Sequence, residues 1–369
     1  MSPRTPRQTP GAPTIVDVAR AAEVSKGLVS LAINDRPGVA EATRVRVRAV
    51  ADELGWRPSR PARTLSTSQT YAYGLVLRRD LRIVAADPFY PAFMAGIETV
   101  LTEHGRVLVL SVVGDEAAEE RAYRTLAADR RVDGVFLNDL RHDDHRVALL
   151  QELAIPAVLV GRPDGASPFP CVVLDDTPGV RAAVHHLVDL GHRAIAYVAG
   201  DPTLLHARHR RSAFEEAVAD RGLTPTAVVD TDFSMAGGAT ATASLLARAT
   251  RPTAVVYAND PMAIAGVGVL QEAGIDVPGG MSVVGFDGTE MARHTHPPLT
   301  TVRSDPQEWG AAAARSLLTL TTTGTAPDVE LPPAQLVTAR STGPAPGRST
   351  STPAFRLAQG TFLGPRTNH

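Results

Sequence analysis

Residues 17–35 read DVARAAEVSKGLVSLAIND, and their apolar spacing resolves into two short helices joined by a turn at Ala22 to Val24. Ile15, Val18, Ala19 and Ala22 line one face of the first helix, with Thr14 placed to cap its unpaired N–H groups. Leu28, Val29, Ala32 and Ile33 form the matching stripe of the second, behind Ser25 as its cap. A third helix follows, with Val47, Val50, Ala51 and Leu54 inward and Gly55 as a left-handed stop. A helix-turn-helix places its second helix in the major groove of DNA while the first crosses the phosphate backbone. Helical corners of similar spacing also occur in proteins that never meet DNA, so the outward residues must carry the reading.

Those outward residues are Ser25, Lys26, Gly27, Ser30, Leu31 and Asn34. Lys26 suits guanine O6 and N7, and Leu31 suits a thymine methyl. Leu31 reads as exposed because the inward stripe already uses its apolar neighbours. Gly27 weakens a helix by about 1 kcal/mol relative to alanine but permits close backbone approach. Ser25 and Thr14 offer hydroxyls to phosphates as well as caps. Charge agrees with this reading. Residues 1–70 hold eleven Lys/Arg and six Asp/Glu, a net +5, in a chain whose total is −2, so the remainder carries −7.

Outward from the headpiece, which we place at 13–58, lie a Pro-rich arm at 1–12 and a linker, RPSRPARTLSTS (57–68), within a hinge region at 59–70. The arm lacks the apolar core of a secretory signal, and no stretch reaches the roughly 20 apolar residues that span a bilayer, so a soluble, cytoplasmic protein with no membrane partner is expected. Cys171 is the single cysteine, which excludes a disulfide framework and Cys-paired zinc modules and fits a reducing compartment. With 44% hydrophobic and 21% charged residues, the composition is that of a globular protein.

Beyond Tyr71 short apolar strands alternate with helices, as in YAYGLVL, RVLVLSV, DGVFL, PAVLVG, CVVLDD, IAYVAG, TAVVYA and SVVGFD. Such alternation builds right-handed βαβ units, and eight or more strands suffice for two Rossmann-like doubly wound parallel sheets. The Pro-, Gly- and Ser-rich segment 343–369 reads as a flexible tail.

The stretch TIVDVARAAEVSKGLVSLAINDRPGVAEATRVRVRAVADELGWRPSRPARTL (14–65) resembles, without a gap, the N-terminal module of the LacI/GalR repressor family. The resemblance continues from Tyr73 to about Thr342 through DPFYPAFMAGIE (87–98), LVDLGHRAIAYVAG (187–200), RRSAFEEA (210–217), AVVYANDPMAIAGVGVL (254–270) and SVVGFDGTEMARHTHPPLTTV (282–302). It implies an all-α helix-turn-helix headpiece plus an α/β bilobal, periplasmic-binding-protein-like domain at 71–342. The N-lobe is expected at 71–161 and 289–323, the C-lobe at 162–288 and 324–342.

By the same resemblance, Lys26, Gly27 and Leu31 read bases. Pro61 opens a short hinge helix, Leu65 wedges into the minor groove, and Arg60 and Arg63 face phosphates. Tyr90, Arg210, Asn259 and Asp287 line an effector pocket, with Phe89, His206 and Phe233 as further candidates. Asn259 and Asp287 end apolar strands, which favours the pocket over turn capping. The implied protein is a homodimeric repressor on a pseudo-palindromic DNA operator, controlled by a small-molecule effector. A sugar is the default effector, and a nucleobase or other metabolite acting as corepressor is the alternative. No cofactor and no metal are expected.

Three departures stand out: Glu23 where the family's turn favours glycine, Ala40 where a capping serine is common, and Gly161 where an acidic residue often ends a strand. An enzyme on the same fold is the first rival, but no GxGxxG, GxxxxGK[ST] or GxSxG occurs in a strand–turn–helix setting. The run RHDDHR (141–146) reads as solvated charge rather than a metal site. A secreted ligand-binding protein is the second rival; it would lack the DNA module.

Overall fold

The computed structural model describes residues 13–57 and 69–347, so the arm at 1–12, the hinge residues Arg60, Pro61, Ala62, Arg63 and Leu65, and the chain beyond 347 lie outside the described residues. The described chain forms two units, divided at Tyr71.

The first unit is three helices, α1 (Ile15–Ala21), α2 (Lys26–Ile33) and α3 (Glu41–Glu53). Val18, Ala22, Val29, Ala32 and Val47 are buried between them, and Trp56 closes the core just beyond α3. Leu54, expected inward, is 39% exposed: α3 ends before it, and Trp56 fills the space instead. Ser25 caps α2, its hydroxyl accepting the Leu28 N–H at 3.2 Å. Thr14 is the N-cap of α1, as expected, and forms a capping box with Asp17: its backbone N–H and its hydroxyl both donate to the Asp17 carboxylate, at 2.9 and 2.7 Å. Those bonds hold Asp17 below the ordinary carboxylate range. Ala40 stands at the N-cap of α3 without a side-chain bond.

Glu23 has φ +55°, which explains why glycine is the favoured residue in this turn. A left-handed conformation costs an L-residue roughly 1–2 kcal/mol. Glu23→Gly should therefore stabilise the headpiece by about 1 kcal/mol, read as an approximately fivefold slowing of amide exchange in α1 and α2. Unchanged exchange would show that the strain is relieved some other way.

The second unit begins with β1 (Ala72–Arg78), α4 (Leu81–Ala86), α5 (Phe89–Glu103), β2 (Val107–Val113), α6 (Glu116–Ala128), β3 (Gly134–Leu137), α7 (His145–Glu152), β4 (Ala157–Val160) and β5 (Cys171–Leu174). It continues with α8 (Thr177–Asp189), β6 (Ile195–Val198), α9 (Leu205–Asp220), β7 (Ala227–Val229), α10 (Met235–Leu246), β8 (Ala254–Tyr257), α11 (Asp260–Glu272) and β9 (Ser282–Asp287). Then come α12 (Glu290–His294), β10 (Thr300–Arg303), α13 (Pro306–Thr323), β11 (Val329–Leu331) and β12 (Gln335–Val337). One sheet has the order β11-β5-β4-β3-β1-β2 and the other β12-β10-β9-β8-β6-β7. All pairings are parallel except β10 with β12. The inner strands, such as β3 and β8, are fully buried, as strands covered on both faces must be.

The lobe boundaries differ from the expected ones in three places. β5 belongs to the N-lobe, because Leu159 and Val160 pair with Cys171 and Val172 across a short loop. β11 joins it there, Val329 pairing with Val172. β10 belongs to the C-lobe, where Thr300 to Arg303 pair with Val284 to Asp287. The chain therefore crosses between lobes after β5, after β10 and between β11 and β12.

The expected tail also begins too early. His192 bonds the Gly343 carbonyl at 3.0 Å, and the Ala345 N–H donates to Leu190 O at 3.0 Å, so the segment to Ala345 is packed on the C-lobe. Nor is 141–146 a solvated run. Arg146 is 1% exposed and bonds Glu119 at 2.9 Å and Asp144 at 2.6 Å, while His142, Asp143 and His145 are the exposed members of the run.

Helices α5 and α13 cross closely in the N-lobe. A Cβ added at Gly96 would lie 1.8 Å from the Gln307 carbonyl oxygen, and one at Gly310 would lie 2.0 Å from that of Phe93. Only glycine permits this approach. It seats Trp309, whose indole N–H donates to Val172 O at 2.8 Å.

Candidate functional site

In the headpiece, α2 presents Ser25, Lys26 and Gly27 at its exposed N-terminal end, with Leu31 39% exposed one turn further on. Ser30 is partly buried. Asn34 is less available than its outward assignment implied, since its amide donates to Ser30 O at 2.9 Å and so closes the C-terminal end of the helix. Arg44 and Arg48 of α3 pair with Asp35, at 2.7 and 2.6 Å, which fixes the segment leaving α2. The exposed Lys26 at the start of this short, capped helix and the exposed Leu31 put a cationic donor and an apolar surface side by side, the two chemistries that base edges accept.

Gly27 is informative because nothing among the described residues requires it. A Cβ there would meet, among those residues, the Ser25 hydroxyl oxygen alone, at 3.9 Å. Gly27→Ala should thus add up to about 1 kcal/mol of headpiece stability while weakening binding to the protein's own operator, as read by melting and by fluorescence anisotropy. Alanine that leaves operator affinity intact would remove the close-approach role.

In the second unit, the carboxyl ends of both sheets open on a cavity of about 420 Å³. It lies where strand order reverses, beside β1 in one sheet and β6 in the other, the usual place for ligands in open α/β sheets. The structure places Phe89, Tyr90, His206, Arg210, Phe233, Asn259 and Asp287 in its wall. Phe89 stacks on Phe93 at 5.7 Å and meets Trp309 edge-on at 6.1 Å, so one wall is aromatic.

The polar walls are built from buried ion pairs. The Arg210 guanidinium bonds Asp176 at 2.6 Å and Ala258 O at 2.9 Å, and it lies 3.6 Å from the centroid of the Phe286 ring. Arg79 grips Asp139 through two bonds, at 2.8 and 3.1 Å. Burial favours the neutral form of Asp139, yet Arg79 prevails and holds the carboxyl well below its usual range. Burial, reinforced by Arg210, pushes His206 down to about 3, which keeps its ring neutral. Burial, with the charge of Asp87 added, lifts Asp287 well above the carboxylate range. Burial also raises the Tyr90 phenol.

Asn259 departs from expectation. Its side chain caps α11 by accepting the Met262 N–H at 2.9 Å and donates to Phe233 O at 2.9 Å. The capping set aside at the sequence level is what this residue does, and it does so in the cavity wall. Gly161, at φ +113°, ends β4 in a conformation that disfavours any side chain.

Two acceptors in the wall, Asp176 Oδ1 and Asn138 Oδ1, are buried without a hydrogen-bond partner among the described residues. Buried acceptors of this kind call for donors from elsewhere. Three wall residues other than glycine have left-handed backbones: Asp139 at φ +50°, Phe233 at +69° and Asp287 at +107°. Strain of about 1–3 kcal/mol each persists only where surroundings over-determine it, as at ligand sites.

Asp176, Arg79, Asp139, Asn138 and Trp309 were not singled out from sequence. Asp176 and Asp139 follow strand ends, the same signal that marked Asn259 and Asp287. Trp309 carried no local signal, because α13 brings it from the far end of the chain.

Comparison with known proteins agrees with this architecture. The family description "Bacterial regulatory proteins, lacI family" matches residues 14–59, and "Periplasmic binding protein-like domain" matches 184–342. The HTH-type transcriptional regulator CelR of Thermobifida fusca is 35% identical over 86% of this chain and 95% of its own length. GalR of Escherichia coli is 32% identical over 86% of this chain and 91% of its own. Among solved structures, a lac repressor dimer bound to operator and the anti-inducer ONPF aligns with a TM-score of 0.79 and 30% identity over 89% of this chain and 99% of that one. A CelR–cellobiose complex aligns with a TM-score of 0.69 and 34% identity, again over 89% and 99%. With a three-helix reading head and a bilobal cleft in one chain, and relatives of this identity over nearly their full length, the protein belongs to the LacI family of bacterial transcription regulators.

Proposed function

We propose that this regulator is a cytoplasmic homodimeric repressor that reads a pseudo-palindromic operator through α2 and answers to a sugar bound in the cleft. The observation that carries the effector reading is the pair of buried acceptors, Asp176 Oδ1 and Asn138 Oδ1, without partners among the described residues, on two residues of a cavity wall that also holds Phe89 and Trp309. A sugar supplies hydroxyl donors to the acceptors and a C–H face to the two rings. A nucleobase would stack equally well but brings fewer donors. The cellobiose bound by the related CelR supports a sugar, and the operator-bound lac repressor dimer supports the assembly.

In this reading Lys26, Gly27 and Leu31 contact base edges, and Thr14 and Ser25 contact phosphates. The hinge residues Arg60, Arg63 and Leu65 complete the contact at the centre of the operator. Linkage requires operator and effector to change each other's affinity by the same factor, commonly about 5–150-fold. The protein performs no turnover on what it binds.

Selection of bound fragments from genomic DNA, repeated with a panel of sugars and nucleobases, tests the whole reading. A palindromic site whose retention changes with a sugar is expected. Retention of no duplex at low salt would overturn the DNA reading, and response to nucleobases alone would overturn the sugar.

A further inference from the structure

Resting on the base-reading role given to α2 above, we propose that Lys26 is an acylation switch: transfer of an acyl group to its Nζ, from a small acyl phosphate or an acyl thioester, releases the headpiece from its operator. Lys26 is the single lysine of the 369-residue sequence, so of its 37 Lys/Arg the other 36 are arginines.

The distinction between the two cations is chemical. A guanidinium keeps its charge at any pH a protein meets, whereas an ammonium can shed a proton and become a nucleophile, which makes lysine the target of acylation. Arginine serves at every other cationic position, including the pairs of Arg79 with Asp139, Arg146 with Glu119 and Arg210 with Asp176. It would serve on α2 as well, because a guanidinium reaches guanine O6 and N7 through two parallel bonds. The one side-chain amine of the sequence thus stands where the loss of a charge decides DNA binding, and an acyl donor meets a single side-chain target.

The position suits the reaction. Lys26 is exposed at the start of α2, and among the described residues it enters no ion pair or side-chain hydrogen bond that would hold the ammonium. No acidic residue stands in the first turn of the helix to pair with it. The amino end of a helix carries positive partial charge, which disfavours a cation there. Acylation therefore relieves an unfavourable interaction in the fold while it removes the donor that reads guanine. In the reaction the deprotonated amine attacks the acyl carbon and a C–N amide bond forms. The C–O bond of the acyl phosphate or the C–S bond of the thioester breaks, phosphate or thiolate leaves with the electron pair, and the proton of the ammonium passes to solvent. Operator and acyl donor compete for one nitrogen, so the switch acts on repressor that is off DNA.

The test exposes the full chain to acetyl phosphate and, separately, to acetyl coenzyme A, with peptide mapping by mass spectrometry and anisotropy on the selected operator. One acetylated side chain, Lys26, is expected, with operator affinity lowered roughly five- to 150-fold and amide exchange in α1 and α2 unchanged or slowed. Excess operator should protect Lys26 from both donors. After partial reaction, protein retained on operator should carry free Lys26 and the unretained protein its acetylated form. Equal acetylation of the two fractions overturns the proposal, as does a Lys26 that only an N-hydroxysuccinimide ester modifies. Faster exchange in α2 on acetylation overturns it too, by showing a damaged fold instead of a lost contact. Lys26→Arg should respond to neither donor, and a loss of affinity in that variant equal to the parent's would place the effect elsewhere. Lys26→Gln should bind operator as weakly as the acetylated protein. If Lys26→Gln holds operator as the parent does, the base-reading role itself fails and this inference falls with it; if it releases operator but Lys26 resists both donors, the switch alone fails.

Discussion

Arg210→Met should destabilise the second unit by about 3–5 kcal/mol, the effect of stranding a buried carboxylate. Asp176 would lose its ion-pair partner, and its other oxygen already has no partner among the described residues. The Ala258 carbonyl would lose a donor and the Phe286 ring its stacked cation. Methionine fills much of the space, so the loss is chiefly electrostatic. Arg210→Met/Asp176→Leu should recover most of the stability in urea or guanidinium unfolding, because an apolar pair of similar volume replaces the ion pair. Both variants should lose effector binding at least a hundredfold. A double variant as unstable as the single one would show that Arg210 acts through packing. Restored ligand response in the double variant would remove the pair from the effector site.

Lys26→Ala carries the second large effect, on DNA rather than on folding. Lys26 is exposed on α2 and enters no ion pair or side-chain hydrogen bond among the described residues, so its removal should leave the headpiece intact. A base-reading contact is worth about 1–3 kcal/mol of discrimination, which is roughly five- to 150-fold in affinity for the selected operator. Binding to unrelated duplex should change far less. A uniform loss on every sequence, with a reduced salt slope, would make Lys26 a phosphate contact instead.

The headpiece was nearly all legible in the sequence because its contacts are local. Apolar period, caps and turn fall within forty residues, and the oddities Glu23 and Ala40 turned out to be real features of backbone and cap. Trp56 escaped because it lies past the last helical repeat, where periodicity has nothing to say. The parallel sheets were legible from long apolar runs, whereas β7, β11 and β12 were not, being three residues each at sheet edges, nor was β10, an inner strand whose four residues TTVR form no apolar run. Which sheet a strand joins is a long-range matter, so β5, β10 and β11 were assigned to the wrong lobes. In the cleft, residues at strand ends were readable, but their partners were not. Arg210 meets Asp176 across 34 positions and Arg79 meets Asp139 across 60, separations that no local pattern encodes.

The crossings between lobes bear on how the protein is made. β11 covers the edge of β5 and β12 covers the edge of β10, and both arrive only after residue 328. A nascent chain that has emerged as far as α13 thus carries two sheets that each lack one edge strand and present an open hydrogen-bonding rim, the kind of surface that recruits neighbouring chains. The three-helix head needs nothing downstream and can settle long before. Premature termination near residue 325 should therefore yield a sticky product with a competent reading head, and chaperone dependence should concentrate in the last moments of synthesis.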